Sequence, residues 1–166
     1  MKGDWQAHDA YFIKLGERGI WEQECIEGGY LRLGYGATPP ELCEQGRWEE
    51  VRDELTRLRG DRGVGTRDMN QIRTFYEANE TTLFVTFWRD SLCWCRPAGP
   101  VSVLGDRTKT RGTVDGWHDR SLVGTPLTLA GQRDSIARVR HFKGTICRIR
   151  AFQDLLEAIS GQRTVR

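Results

Sequence analysis

The chain has no long apolar run, little histidine and none of the short signatures that mark common catalytic sites, and each absence narrows its function. Hydrophobic residues make up 38% of the 166 positions and mean hydropathy is −0.57, so no segment approaches the ~20 apolar residues that a membrane-spanning helix needs. The start, Met1-Lys2-Gly3-Asp4-Trp5, lacks the apolar stretch of a secretory signal, which leads us to expect a cytoplasmic protein. Only His8, His118 and His141 are available as imidazole bases. There is no GxSxG elbow, Walker loop, HExxH helix or nuclease-type cluster of carboxylates and lysine. Gly16-Glu17-Arg18-Gly19 lacks the GxGxxG spacing of a dinucleotide loop. The sequence therefore reads as a binding protein rather than an enzyme, without a cofactor; a small nuclease or hydrolase using His118 and Asp119 is the catalytic alternative.

Disulfide scaffolding is excluded on similar grounds. The five cysteines, Cys25, Cys43, Cys93, Cys95 and Cys147, are odd in number and widely scattered, which suits free thiols in a reducing compartment. Cys93-Trp94-Cys95 is not a CxxC metal loop, and alternation along a strand turns both sulfurs to one face. Buried packing is the expectation there, and no metal site is predicted. No repeat, low-complexity tract or linker divides the chain, so residues 1–166 read as one domain.

What is present in abundance is arginine, unevenly placed. Residues 1–100 carry 13 Lys or Arg against 17 Asp or Glu, a net −4, and residues 101–166 carry 12 against 6, a net +6. A basic second part suits an anionic partner such as a phosphate backbone, and Arg107, Lys109, Arg111, Arg120, Arg138 and Arg140 are the candidate phosphate ligands. A merely solvated, arginine-rich surface is the competing explanation.

Patterning predicts an α+β domain. Strands are expected at 11–15, 30–35, 81–88, 91–96, 100–104, 137–142 and 145–149, with Arg89-Asp90 as a hairpin turn. Leu31, Leu33 and Tyr35 alternate with Arg32, and residues 81–88 are apolar on both faces, as in a strand covered on both sides. Helices are expected at 21–27, at 47–59 (Trp48, Val51, Leu55 and Leu58 on one stripe), at 67–78 with Thr66 as its cap, and at the end of the chain, where Phe152, Leu155, Leu156 and Ile159 share a face and Gly161 ends the helix. Residues 162–166 read as a frayed tail. Residues 105–124 read as a long glycine-punctuated loop, and loops of that length usually have a task.

Six tryptophans exceed what a core of this size needs. Trp48 and Trp94 fall on buried stripes. Trp117, between Gly116 and His118 in the polar loop, has no such stripe, which leaves it as a stacking platform for a base or as a plug over one end of the sheet.

The run Tyr11-Phe12-Ile13-Lys14-Leu15-Gly16-Glu17, followed by Glu27-Gly28-Gly29-Tyr30-Leu31-Arg32-Leu33-Gly34-Tyr35, resembles the opening of PUA-like domains of the EVE type. It is most similar to those at the N-terminus of Mrr-like restriction endonucleases. The helix at 67–78 and the hairpin at 83–96 are similar to the next elements of that pattern. The resemblance implies a curved PUA-like β-barrel of about six strands with three or four helices. It also implies an aromatic cage that holds a flipped, modified base, as in the related YTH readers. Tyr35, where tryptophan is commoner, and Trp117 match the cage positions, with Trp21 nearby; Glu17, Asn70, His118 and Asp119 are candidates to read the base edge.

The expected function is recognition of a modified cytosine or adenine in DNA, as the specificity module of a modification-dependent restriction or defence system; no nuclease half is present, so any cleavage needs a nuclease partner, or else this chain is a piece of something longer. An RNA-binding PUA-like module is the nearest alternative, and a protein-docking module built on exposed aromatics is a further one.

Overall fold

The computed structural model describes residues 6–162. Its strands form two sheets. In the first, the order is β4 (Ser91–Cys95), β3 (Thr82–Trp88), β1 (Asp9–Ile13) and β7 (Ile146–Arg148). β1 runs parallel to β3, with Tyr11 opposite Phe84, and antiparallel to β7; β3 and β4 form a hairpin. The second sheet is antiparallel, with β6 (Lys109–Thr113) between β2 (Tyr30–Leu33) and β5 (Pro97–Val103). β4 passes into β5 through Arg96, whose carbonyl accepts from Val114 N at 2.9 Å. One continuous stretch of chain thus belongs to both sheets, the usual way that a corner is built.

The α+β class is as expected, but neither sheet closes on itself. The first ends at β4 and β7 and the second at β2 and β5. The described residues hold seven strands and six α-helices rather than about six and three or four.

Alternation along the first sheet explains its two covered faces. Ala10, Phe12, Leu83, Val85, Leu92 and Trp94 pack on one side with Ile136, Leu155 and Ile159 of α5 (Asp134–Ala137) and α6 (Phe152–Ser160). Ile13, Phe84 and Cys95 face the other way, into a core shared with Leu31 and Leu33 of β2 and with Val51, Leu55, Ile72 and Phe75 of two long helices. Full burial of each such side chain contributes ~1.5–3 kcal/mol.

Those helices are α3 (Trp48–Arg59) and α4 (Arg62–Glu77). α4 begins earlier than predicted. Asp61, not Thr66, is its cap, its carboxylate accepting from Val64 N at 2.9 Å. Residues 62–65, expected in a loop, are helical because Gly65 sits where α3 and α4 meet: a Cβ there would lie 2.7 Å from Thr56 N. The helix cost of glycine, about 1 kcal/mol, is offset by that close approach.

Two other expectations are corrected. The loop predicted at 105–124 contains β6. The strand predicted at 137–142 is instead the end of α5 followed by a 3-10 turn at Arg138–His141. The remaining helices are α1 (Glu22–Gly28) and α2 (Pro40–Glu44). No helix among the described residues is long and apolar enough to cross a membrane. The N-terminal stretch 1–5 and most of the predicted tail, 163–166, lie outside the described residues.

Candidate ligand cleft

β1 and β3 run side by side in the same direction, so their carboxyl ends open on one region of the surface. A cleft of about 1240 Å³ lies there, floored by Phe12, Lys14, Thr86, Phe87 and Trp88. One wall is the loop after β1, from Gly16 to Glu22. The opposite wall is the segment from Arg140 to Thr145, and Gly34, just past β2, closes one side. Crevices at the carboxyl ends of parallel strands are common ligand sites because strand ends fix the floor while loops supply the walls.

The loop wall is shaped by its own backbone. Gly16 (φ 81°), Arg18 (φ 55°) and Gly19 (φ 72°) all adopt left-handed backbone, which for arginine is uncommon. Four backbone hydrogen bonds fix it: Gly16 N to Lys14 O (3.1 Å), Gly19 N to Gly16 O (3.1 Å), Ile20 N to Glu17 O (3.3 Å) and Trp21 N to Leu15 O (3.0 Å). Gly16 has no substitute here. A Cβ on it would lie 2.8 Å from Ile20 Cγ1 and 2.9 Å from Trp21 Cδ2. Both side chains therefore rest on the bare Cα of this glycine.

Two indoles line the cleft, each with a guanidinium stacked on it. Arg32 Cζ lies 4.3 Å from the Trp21 ring centre, and Arg89 Cζ lies 4.2 Å from that of Trp88. Arg32 is itself fixed by Glu24 (2.9 Å) and Asp106 (2.8 Å). Arg89 and Asp90 form the tight β3–β4 turn with φ of 49° and 59°, the paired left-handed geometry that matches strand twist.

Lys14, Arg18, Arg89, Arg140 and Lys143 give the lining a cationic excess over Glu17, Glu22 and Asp90. Lys14 Nζ donates to Phe142 O at 2.7 Å and so ties the floor to the far wall. Burial raises the Glu22 carboxyl above its usual range, which makes it a half-desolvated acceptor inside the cleft.

Of the residues predicted from sequence, the structure brings Trp21, Glu17 and Arg140 together here. Tyr35 and Trp117 do not meet at this cleft. Trp117 packs against the start of β2, its Nε1 donating to Tyr30 O at 3.0 Å. Tyr35 lies past the end of β2, its hydroxyl donating to Asp68 Oδ1 at 3.4 Å. Both rings are half-buried against the same core.

Asn70 is exposed on α4 and faces a separate polar groove beside His8 and Asp9, at the opposite end of β1. His118 stacks on Trp94 (ring centres 4.5 Å apart) and exchanges two backbone hydrogen bonds with it. Burial holds its imidazole below the usual range. Neither His118 nor Asp119 lines the cleft.

The phosphate candidates divide. Lys109 is wholly buried, its Nζ donating to Tyr35 O at 2.6 Å and Gly34 O at 3.4 Å, and burial lowers its pKa to about 8. Arg111 is buried and donates to Gly99 O (Nε 3.1 Å, Nη2 2.8 Å), Phe75 O (3.0 Å) and Ala78 O (2.5 Å). Both are internal struts, inaccessible to a phosphate. Arg107, Arg120 and Arg138 are exposed but lie outside the cleft lining.

Sequence reasoning missed Trp88, Glu22 and Arg89 as site residues. A signal existed for Trp88: a large aromatic at the last position of a strand, next to a charged turn, has little core left to enter. Cys93 and Cys95 are buried, and burial pushes the Cys93 thiol up to about 12. No group of three or more metal-ligating side chains occurs among the described residues. No protein-family model, curated protein or solved structure matches this chain.

Proposed function

We propose that this chain binds nucleic acid by taking one base into the cleft between the Gly16–Glu22 loop and the Arg140–Thr145 wall, with a modified base in DNA as its target. The observation that carries the reading is the joint placement of Trp21 and Trp88 with five cationic side chains in one cleft. Aromatic surface offers a base ~1–3 kcal/mol of stacking, and surrounding Lys and Arg hold the flanking phosphates. The volume, about 1240 Å³, exceeds the ~300–1,000 Å³ of ordinary small-molecule pockets, as suits a guest that remains attached to a longer strand.

Glu22 is the base-edge reader in this arrangement, because a carboxylate accepts from an exocyclic amine such as that of cytosine or adenine. The aromatic walls are thus Trp21 and Trp88, in place of Tyr35 and Trp117. The resemblance of residues 11–35 to EVE-type PUA-like domains supports the same class of ligand.

The test is titration of the purified chain with matched oligonucleotides, plain or carrying 5-methylcytosine, 5-hydroxymethylcytosine or N6-methyladenine, as DNA and as RNA. Expected are a preference for one modified DNA, a loss of roughly tenfold or more in Trp21→Ala and in Trp88→Ala, and near-normal binding in Trp117→Phe. Equal affinity for all oligonucleotides, unchanged by either alanine variant, sinks the reading; a preference for RNA moves it to the RNA-binding class.

A further inference from the structure

The mouth of the cleft carries a large apolar side chain that is mostly exposed. Ile20 is 68% exposed and lines the cleft rim. A solitary exposed isoleucine is ordinary on a protein surface; this one stands at the edge of the cleft, beside its aromatic wall. Its Cγ1 rests on Gly16, its backbone N–H is bonded to Glu17 O, and it follows a turn in which Gly16, Arg18 and Gly19 have positive φ. Trp21, the aromatic wall, is its immediate neighbour and rests on the same glycine. Arg18 lies on the same loop and Arg140 and Lys143 on the facing wall, so a nucleic-acid backbone drawn to those cations passes Ile20.

We infer that Ile20 is a wedge that enters a DNA duplex and fills the gap left when a base moves into the cleft, which makes double-stranded DNA the substrate class. This rests on the base-binding reading above. Removing a base from a stacked duplex costs a few kcal/mol, and rigid apolar side chains inserted between base steps offset such costs in proteins that distort DNA. A flexible loop would spend that gain on its own ordering. The Gly16–Trp21 loop has four backbone hydrogen bonds of its own to hold its shape, which lowers the ordering cost of insertion.

The wedge matters only where a stack must be opened, and this separates it from a simple contact. Three DNA probes carry the same modified base: a fully paired duplex, a duplex with an abasic site opposite that base, and the single strand. Ile20→Ala is expected to weaken binding to the paired duplex about tenfold and to the other two less than twofold, with Ile20→Leu restoring the duplex affinity. Its thermal melt should match wild type, since the side chain is exposed. A 2-aminopurine placed beside the target base should brighten on binding to wild type and much less with Ile20→Ala. Equal loss on all three probes, no loss on any, or wild-type binding to the single strand alone overturns the wedge while Trp21 dependence keeps the base-binding reading. Failure of wild type to bind any probe overturns both.

Discussion

Lys109 Nζ donates to the carbonyl oxygen of Tyr35 at 2.6 Å and holds that tyrosine in left-handed backbone at φ 56°. A lysine in the basic part of the chain, which by position alone suits a phosphate, is a buried strut for the turn that carries Gly34 to the cleft. Lys109→Met is expected to lower stability by ~1–3 kcal/mol, the usual cost of leaving buried carbonyls without a donor. Urea denaturation measures it, and wild-type stability in this variant removes the strut role.

Arg111 performs a related task at the end of α4. Its guanidinium meets the carbonyls of Phe75 and Ala78, where the helix dipole is negative, and ties them to Gly99 in the β5 bulge region. Arg111→Met should destabilise by roughly 2–4 kcal/mol, from the lost charge-assisted bonds and the lost dipole contact. Denaturation midpoints provide the check, and a change below ~0.5 kcal/mol contradicts the assignment.

Salt dependence distinguishes the cleft cations from the rest. Each Lys or Arg that neutralises a phosphate contributes ~0.9 to the slope of log affinity against log salt on duplex DNA. Arg140→Ala and Lys143→Ala should each reduce the slope by about that amount, whereas Arg107→Ala, outside the cleft lining, should leave it unchanged. Binding isotherms at several salt concentrations decide, and a reversed pattern moves the phosphate path away from the cleft.

Alkaline pH should unfold the protein through its thiols. Burial raises Cys25 and Cys93 to about 12 and Cys43 to about 11, and raises Cys95 well above its ordinary value of 9.0. In the native state these groups keep protons that the unfolded chain releases near pH 9, so the stability they contribute is intact below pH 9 and falls as pH rises from there towards 12. Lys109 acts in the opposite sense: with a native pKa of about 8 against 10.5, it adds stability as pH rises between those values. Four thiols outweigh one amine. Urea melts from pH 7 to 10.5 under reducing conditions should show falling stability above pH 9, with a shallower fall in Cys93→Ala; a flat profile contradicts it.

Much of the fold was legible where burial followed apolar periodicity. Residues 82–88, apolar on both faces, form a strand covered on both faces, and the stripes containing Trp48, Val51 and Leu55, and Leu155 and Ile159, form the buried sides of α3 and α6. β6 was illegible because its two buried side chains are Lys109 and Arg111, charges that satisfy backbone carbonyls inside the protein. Residues 137–142 misled differently. Ala137, Val139 and His141 mimic strand alternation, but Val139 and Phe142 are the pair that pack on the core, three apart as in a tight helical turn. The site was half legible: Trp21, Glu17 and Arg140 were found from neighbouring sequence, whereas the union of the 16–22 loop with Trp88 and Lys143 depends on long-range strand pairing that no local pattern records.

That pairing places a condition on biosynthesis. β1 must wait for β3, which follows it by some seventy positions, and then for β7, whose Arg148 pairs with Tyr11 across 137 positions. Sequence-distant pairings of this kind form slowly, so the nascent chain keeps the edges of β1 unsatisfied until both partners have been made. A product released before position 140 would lack one entire side of the cleft and would present an open strand to its neighbours, so premature termination yields an aggregation-prone fragment.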